Sequence, residues 1–302
     1  SMPPTPQYRW PLLQARAGRE LWVKHENHTP VGAFKVRGGL VYFHELLKAA
    51  QRPDGVIAAT RGNHGQSIAF AAGRAGIEAT IVVPRNNSRE KNNAMRALGA
   101  QLVEYGDDFQ ESLEYALERS STDGMQFVPS FHPTLVRGVA SAALEFFRGA
   151  SHMDAVYAPI GLGSGIAGML AARDALRIST EVIAVVAENA PAYAISLERN
   201  EITPAATSTI ADGMACRVPN AQAFEILQGY RPRVVRVSEK QIADAMRIYF
   251  TDTHNVAEGA GAAALAAALA DPQRDRYASA GVMLSGGNVD AVEFEAILGR
   301  EQ

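Results

Sequence analysis

The chain has 302 residues, 47% apolar and 20% charged, with 29 Lys and Arg against 32 Asp and Glu for a net charge of −3. That length allows about two domains with cores of their own, and the slight acidity argues against nucleic acid, whose phosphates need a basic face. Cys216 is the single cysteine, which excludes an intrachain disulfide and a cysteine-built metal cluster.

No apolar run has the length of a membrane span, and the start lacks a charged region followed by an apolar one. A cytoplasmic protein with no membrane partner is expected. In chain order, a strand is predicted over 21–26, followed by a turn at Thr29-Pro30 and a helical pattern over 38–50. Strands over 55–60, 80–84, 101–105 and 126–129 alternate with helical patterns over 63–74, 88–98, 109–119 and 135–147. Further strands lie at 154–159, 181–187, 234–237 and 282–284, with helices at 166–176, 239–253 and 257–269. Apolar strands separated by helices imply an α/β fold whose twisted, mostly parallel sheets are covered on both faces. Seams at Gly38-Gly39 and Val136-Arg-Gly138 divide the chain into two expected domains. A larger one comprises residues 1–38 and 139–302, and a smaller, mobile one comprises residues 39–138.

Four loops carry chemistry-bearing residues. The first, Gly32-Ala-Phe-Lys-Val-Arg-Gly-Gly39, places Lys35 beside Phe34. Partial desolvation there would disfavour the ammonium form and make the amine available as a nucleophile or Schiff-base former. The second, Ala59-Thr-Arg-Gly-Asn-His-Gly-Gln-Ser67, follows a strand and opens a helix. Free N–H groups at such a helix start suit a carboxylate, and Thr60, Arg61, Gly62, Asn63 and His64 are the candidates. The third, Ile160-Gly-Leu-Gly-Ser-Gly-Ile-Ala-Gly168, has glycines that let the backbone approach a phosphate. Gly161, Leu162, Gly163, Ser164 and Gly165 would form that cradle. Gly163, Gly165 and Gly168 also match the dinucleotide fingerprint, with Glu188 where a ribose-binding acid would fall. The fourth, Met283-Leu-Ser-Gly-Gly-Asn288, offers the neutral Ser285 hydroxyl, able to donate to or accept from a heterocyclic nitrogen.

Together the four loops resemble the fold type II pyridoxal-phosphate enzymes, whose fold is that of the tryptophan synthase β subunit. The resemblance is to the threonine and serine dehydratase (ammonia-lyase) and serine racemase group. It rests on Gly32-Ala-Phe-Lys-Val-Arg-Gly38, Gly62-Asn-His-Gly-Gln66, the Gly161–Gly165 loop and Ser285-Gly-Gly-Asn288. Ala211-Asp-Gly213 and Glu258-Gly-Ala-Gly261 look like later landmarks of the family. The resemblance implies pyridoxal 5'-phosphate bound as a Schiff base to Lys35, which also serves as general base. Phe34 would pack beside the cofactor, Asn63 would bond the ring hydroxyl, residues 161–165 would hold the phosphate, and Ser285 would face the pyridine nitrogen. The implied reaction is β-elimination from threonine, serine or a 3-substituted serine, and the implied assembly is a homodimer. A racemase or β-replacement enzyme of the same fold is the nearer alternative. An NAD-dependent oxidoreductase built on Gly163–Gly168 is the farther one; it leaves Lys35, Asn63 and Ser285 unexplained. A non-catalytic cofactor-binding protein has no feature in its favour.

The chain departs from these relatives in three places. Leu162 and Ser164 interrupt what is usually a run of glycines; Leu162 demands a backbone angle that glycine would not, Ser164 adds a hydroxyl, and phosphate binding is expected to survive because the N–H groups do the holding. Arg61 stands where racemases carry a serine, and arginine is too basic to shuttle protons at neutral pH, so racemisation is expected to be inefficient. Ala194 stands where some relatives place a cation-binding aspartate, so no metal is expected at Glu188. No regulatory domain is expected after the last motif, and His132 reads as a capping or packing residue.

Overall fold

The structure, a computed structural model, describes residues 2–150 and 152–299. In chain order it begins with β1 (Gln7–Tyr8), α1 (Pro11–Ala17), β2 (Glu20–His25) and α2 (Lys35–Leu46). Next come β3 (Gly55–Ala59), α3 (Asn63–Ala75), β4 (Glu78–Val83), α4 (Arg89–Ala97), β5 (Gln101–Glu104), α5 (Phe109–Asp123), β6 (Gln126–Phe127) and α6 (Pro133–Gly149). The remainder is β7 (Ala155–Pro159), α7 (Ser164–Leu176), β8 (Glu181–Ala187), α8 (Ala192–Arg199), α9 (Ala221–Tyr230), β9 (Val234–Val237), α10 (Glu239–Thr253), α11 (Gly259–Ala270), β10 (Ser279–Leu284) and α12 (Ala291–Leu298).

The strands form two sheets. One has the order β1-β2-β10-β7-β8-β9 and the other β5-β4-β3-β6. Every pairing is parallel except that of β1 with β2. All five residues of β3 and all six of β10 are buried, as continuously apolar strands covered on both faces should be. The α/β reading of the sequence therefore holds. The four-stranded sheet is built wholly from residues 55–127, inside the expected small segment. Ser1, Ser151 and Arg300–Gln302 of the expected large segment lie outside the described residues.

Local chemistry sets the helix ends. Ser238 and Gln241 make a reciprocal capping box at the start of α10. Asp108 caps α5 by accepting from the Glu111 N–H at 2.9 Å. His132, read from sequence as a capping or packing residue, caps α6 by accepting from the Thr134 N–H at 3.1 Å. The helix α11 is apolar all round and buried along nearly its whole length, which marks it as a core element. The helix that follows Lys35 starts at Lys35 itself, three residues before the helical pattern recognised in sequence.

That start is anchored by a buried charge cluster. Arg37 Nε donates to Glu26 Oε2 at 2.7 Å, and its Nη groups reach both oxygens of Glu145 at 2.7 Å. Lys24, fully buried, donates to Glu145 at 2.7 Å, and the Thr5 hydroxyl donates to Glu26 at 2.6 Å. Two cations and two carboxylates thus neutralise each other, with Glu145 alone partly exposed, and removing one member would leave a buried charge uncompensated. Arg37→Met would leave the fully buried Glu26 carboxylate without its cation and should cost about 3–5 kcal/mol of stability. Urea unfolding would measure this; a loss within the range of a surface pair, about 1 kcal/mol or less, would reject the anchoring role.

Candidate active site

The four loops identified from sequence meet in one cavity of about 920 Å³, between the carboxyl ends of β3, β7 and β10. Phe34, Lys35, Thr60–His64, Gly161–Gly165 and Ser285 all line it. Backbone pairing joins the first loop to the fourth. The Phe34 N–H donates to Ser285 O at 2.9 Å, and Ala33 pairs with Gly286 in an isolated bridge.

The β7–α7 loop is an anion cradle by construction. None of the six consecutive N–H groups from Gly161 to Ile166 has a partner among the described residues. The first α7 bond runs from the Ala167 N–H to Gly163 O at 3.0 Å, so the helix N-terminus directs its free donors and positive dipole end into the cavity. A side chain at Gly161 would collide with the carbonyl of Gly213, and one at Gly163 with Ala223. Gly163 alone in the loop takes a left-handed backbone, with φ 97°. Leu162 takes no left-handed angle, as its side chain requires, and its carbonyl accepts from the Tyr193 hydroxyl at 3.1 Å.

Lys35 Nζ lies 3.0 Å from Ser164 Oγ, at the mouth of this cradle, and 5.3 Å from the centre of the Phe34 ring. Burial lowers its pKa to about 8, because desolvation disfavours the charged form. The Ser67 hydroxyl fixes the backbone at this point by donating to Lys35 O at 2.7 Å.

The β3–α3 loop is a second, smaller anion seat. The Thr60 N–H donates to Val82 O, and the Thr60 hydroxyl accepts from the N–H groups of Gly62 at 2.9 Å and Gly65 at 3.3 Å. Thr60 and Gly62 thus shape the loop, and the N–H groups of Arg61, Asn63 and His64 remain without partners among the described residues. Burial, reinforced by the charge of Lys35, lowers the His64 pKa to about 3, so the ring is neutral. The Arg61 guanidinium crosses the cavity to Asp212, with Nε 2.8 Å from Oδ1.

Three residues to which sequence reasoning assigned no role complete the site. Glu258, buried at the start of α11, accepts from Asn63 Nδ2 at 2.6 Å, while Asn63 Oδ1 accepts from Asn288 at 2.8 Å. Asn63 keeps one hydrogen and one lone pair for a ligand. Burial raises the Glu258 pKa. Lys91 on α4 lies between Asp212, at 3.3 Å, and Glu258, at 3.9 Å. Burial works against its ammonium form, yet the two carboxylates outweigh burial and raise its pKa. Glu258 and Asp212 sit in the segments noticed as family landmarks, whereas nothing marked Lys91 in advance.

These features suit a phosphate-bearing aldehyde: an amine whose pKa burial lowers to about 8, a six-donor cradle, an aromatic wall and a neutral hydroxyl in one cavity. The chain matches the family described as pyridoxal-phosphate dependent enzyme over residues 2–286. It belongs to that family. It is 35% identical to the L-threonine ammonia-lyase of Thermotoga maritima over 96% of this chain and 72% of that one. Identity to the biosynthetic L-threonine dehydratase of Escherichia coli is 33%, over 95% of this chain and 56% of that relative. The processed form of threonine deaminase isoform 2 from Solanum lycopersicum superposes with a TM-score of 0.91 at 29% identity, over 98% of this chain and 87% of that one. The cofactor of this pyridoxal-phosphate enzyme is the one expected from sequence, and the dinucleotide reading falls away. Gly168 packs against Ala140 of α6, a helix contact rather than a phosphate contact.

Only uncharged Lys35 can attack an aldehyde. Covalent loading of cofactor-free protein should therefore accelerate as pH rises, with its midpoint near about 8, and level off above it. Stopped-flow absorbance would follow the loading; a midpoint at the ordinary lysine value of 10.5 would contradict the desolvated amine.

Proposed function

We propose that this enzyme removes the β-hydroxyl and the amino group from a β-hydroxy-α-amino acid, serine, threonine or a 3-substituted serine, giving a 2-oxo acid and ammonia. The observation that carries the proposal is the desolvated Lys35 amine, set 3.0 Å from the hydroxyl that opens the anion cradle, in a cavity with a second seat for a carboxylate. When bound, pyridoxal phosphate supplies an electron sink that acidifies the substrate Cα–H.

The residues divide the work. Lys35 is the residue that bonds the cofactor and, when free of it, the base for the Cα proton. The N–H groups of residues 161–165, with the Ser164 hydroxyl, hold the phosphate, and Phe34 covers the ring. Asn63, oriented by Glu258 and Asn288, offers its remaining valences to the ring hydroxyl. Ser285 faces the ring nitrogen with a neutral hydroxyl, which gives that nitrogen little reason to stay protonated. The free N–H groups of Arg61, Asn63 and His64 take the substrate carboxylate.

In the elimination, the Cα proton passes to Lys35 Nζ and the Cβ–O bond breaks with its electron pair on oxygen. That oxygen gains a proton and leaves as water. The released enamine tautomerises to an imine, and one water hydrolyses it to the 2-oxo acid and ammonium. The net change is one substrate to one 2-oxo acid and one ammonium ion.

Racemisation would need a second proton carrier. Arginine carries N–H donors and no acceptor, and Arg61 is held by Asp212 at 2.8 Å, which supports elimination over the racemase reading. Residues 39–138 would act as a small domain closing on the rest of the chain. The Arg61–Asp212 and Asp108–Arg217 pairs, each joining residues from the two sides, support that division. No helix among the described residues is long and apolar enough to cross a membrane; we place the enzyme in the cytoplasm. Apolar side chains at Leu12, Phe250 and Val292 are exposed on α1, α10 and α12, and α10 packs against both other helices, which supports a homodimer.

Lys35→Ala should lower 2-oxo acid release by at least about 10²–10⁴-fold without moving the urea midpoint downward; a variant that still turns over at the parental rate would remove Lys35 from its role. Sedimentation equilibrium should give about twice the 32.3 kDa chain mass, and a value of one chain would retract the dimer.

A further inference from the structure

The cavity is larger than the cofactor and a small amino acid require. At roughly 20 Å³ per non-hydrogen atom, near the density of organic crystals, pyridoxal phosphate with serine fills about half of the 920 Å³. The two anion seats, the Lys35 amine and Ser285 account for one part of the lining. The other part comes from the start of α5, where Phe109 and Gln110 line the cavity, and from the segment carrying Ala206, Cys216 and Val218. The Arg217–Asp108 pair, at 3.1 Å, joins these two walls.

Charge bookkeeping decides what this remote part can take. Apart from Lys35, the cavity is lined by three cations, Arg61, Lys91 and Arg217, and three carboxylates, Asp108, Asp212 and Glu258. Each cation has a carboxylate within reach, at 2.8, 3.3 and 3.1 Å. A charged substituent would have to compete with the carboxylate that already faces each cation. An apolar group would meet the Phe109 ring, the Val218 and Ala206 side chains and the Cys216 thiol, whose pKa burial raises to about 12 and which is therefore uncharged.

We propose that this remote end receives an uncharged β-substituent larger than methyl, an aryl or branched alkyl group, so that 3-aryl- and 3-alkylserines are the preferred substrates. The inference rests on the elimination reading above.

The holoenzyme should be offered L-serine, L-threonine, 3-phenylserine and 3-hydroxyaspartate, with 2-oxo acid release measured. The kcat/KM for 3-phenylserine should exceed those for serine and threonine by at least tenfold, with 3-hydroxyaspartate lowest. L-phenylalanine and L-alanine, which have no leaving group, should compete with substrate, the former at least tenfold more tightly. Val218→Trp should lower the ratio of kcat/KM for 3-phenylserine over serine at least tenfold, with Ala206→Trp read the same way if the first variant does not fold. Serine or threonine turned over as well as 3-phenylserine, with that ratio unmoved by the variants, would overturn the proposal; a preference for 3-hydroxyaspartate would do so by showing an unpaired cation. Release of 2-oxo acid from none of the four would reject elimination, yet tighter competition by L-phenylalanine against cofactor-bound spectral changes would still uphold the remote apolar end, and equal competition would reject it.

Discussion

An amine must give up its proton more readily than an ordinary lysine inside a cavity built to attract anions, and much of the site follows from that constraint. Two helices, α3 and α7, point their N-termini into the cavity, and Lys35 is itself the first residue of a third. The positive ends of three helix dipoles oppose an ammonium ion there. Burial acts in the same direction and lowers the Lys35 pKa to about 8. What attracts phosphate and carboxylate thus also frees the amine. The carboxylates that could undo this are engaged elsewhere: Glu258 by Asn63, and Asp212 by Arg61 and Lys91.

The same local device makes both anion seats. A buried parallel strand ends, a short loop follows, and a helix begins with unpaired N–H groups. The two seats differ in how their loops are held. At β7–α7 the glycines let the backbone pass between Gly213 and Ala223, and all six N–H groups stay open. At β3–α3 the Thr60 hydroxyl takes two N–H groups for itself, leaving a narrower seat. The wider loop leaves six N–H groups open and the narrower one those of Arg61, Asn63 and His64.

Much of this was legible in the sequence because the functional loops lie between strongly patterned elements. Strands such as 181–187 and helices such as 239–253 were located to the residue. The elements missed were mostly short: the two-residue β1, the seven-residue α1, the eight-residue α8 and α12 and the ten-residue α9, although Pro191, Asn220, Asp290 and Gly299 stand at their ends as boundary signals. The start of α2 was placed late because Gly38-Gly39 reads as a break, whereas both glycines are helical and let α2 pack closely against Leu135 of α6 and Ser67 of α3. Leu162 is accommodated in the cradle because the one left-handed position falls on Gly163. Lys91 lies in Arg89-Glu-Lys-Asn-Asn93, which reads as a solvated helix face. Its burial follows from where α4 sits over the cavity, a tertiary fact that no local pattern encodes.

The electrostatics of that face bear on how the cavity treats charge. Lys91 lies between Asp212 and Glu258, and Asp212 lies between Lys91 and Arg61, so the charges alternate in sign from the exposed Arg61 to the buried Glu258. Removing one charge would leave both of its neighbours unbalanced, a larger disturbance than the loss of a single surface pair. The chain also links residues on the four-stranded-sheet side, Arg61, Asn63 and Lys91, to Asp212 and Glu258 on the other, and Ser88 to Asp290 beside them. One set of contacts therefore completes the charge pattern, holds the two sides of the cavity together and fixes the Asn63 amide.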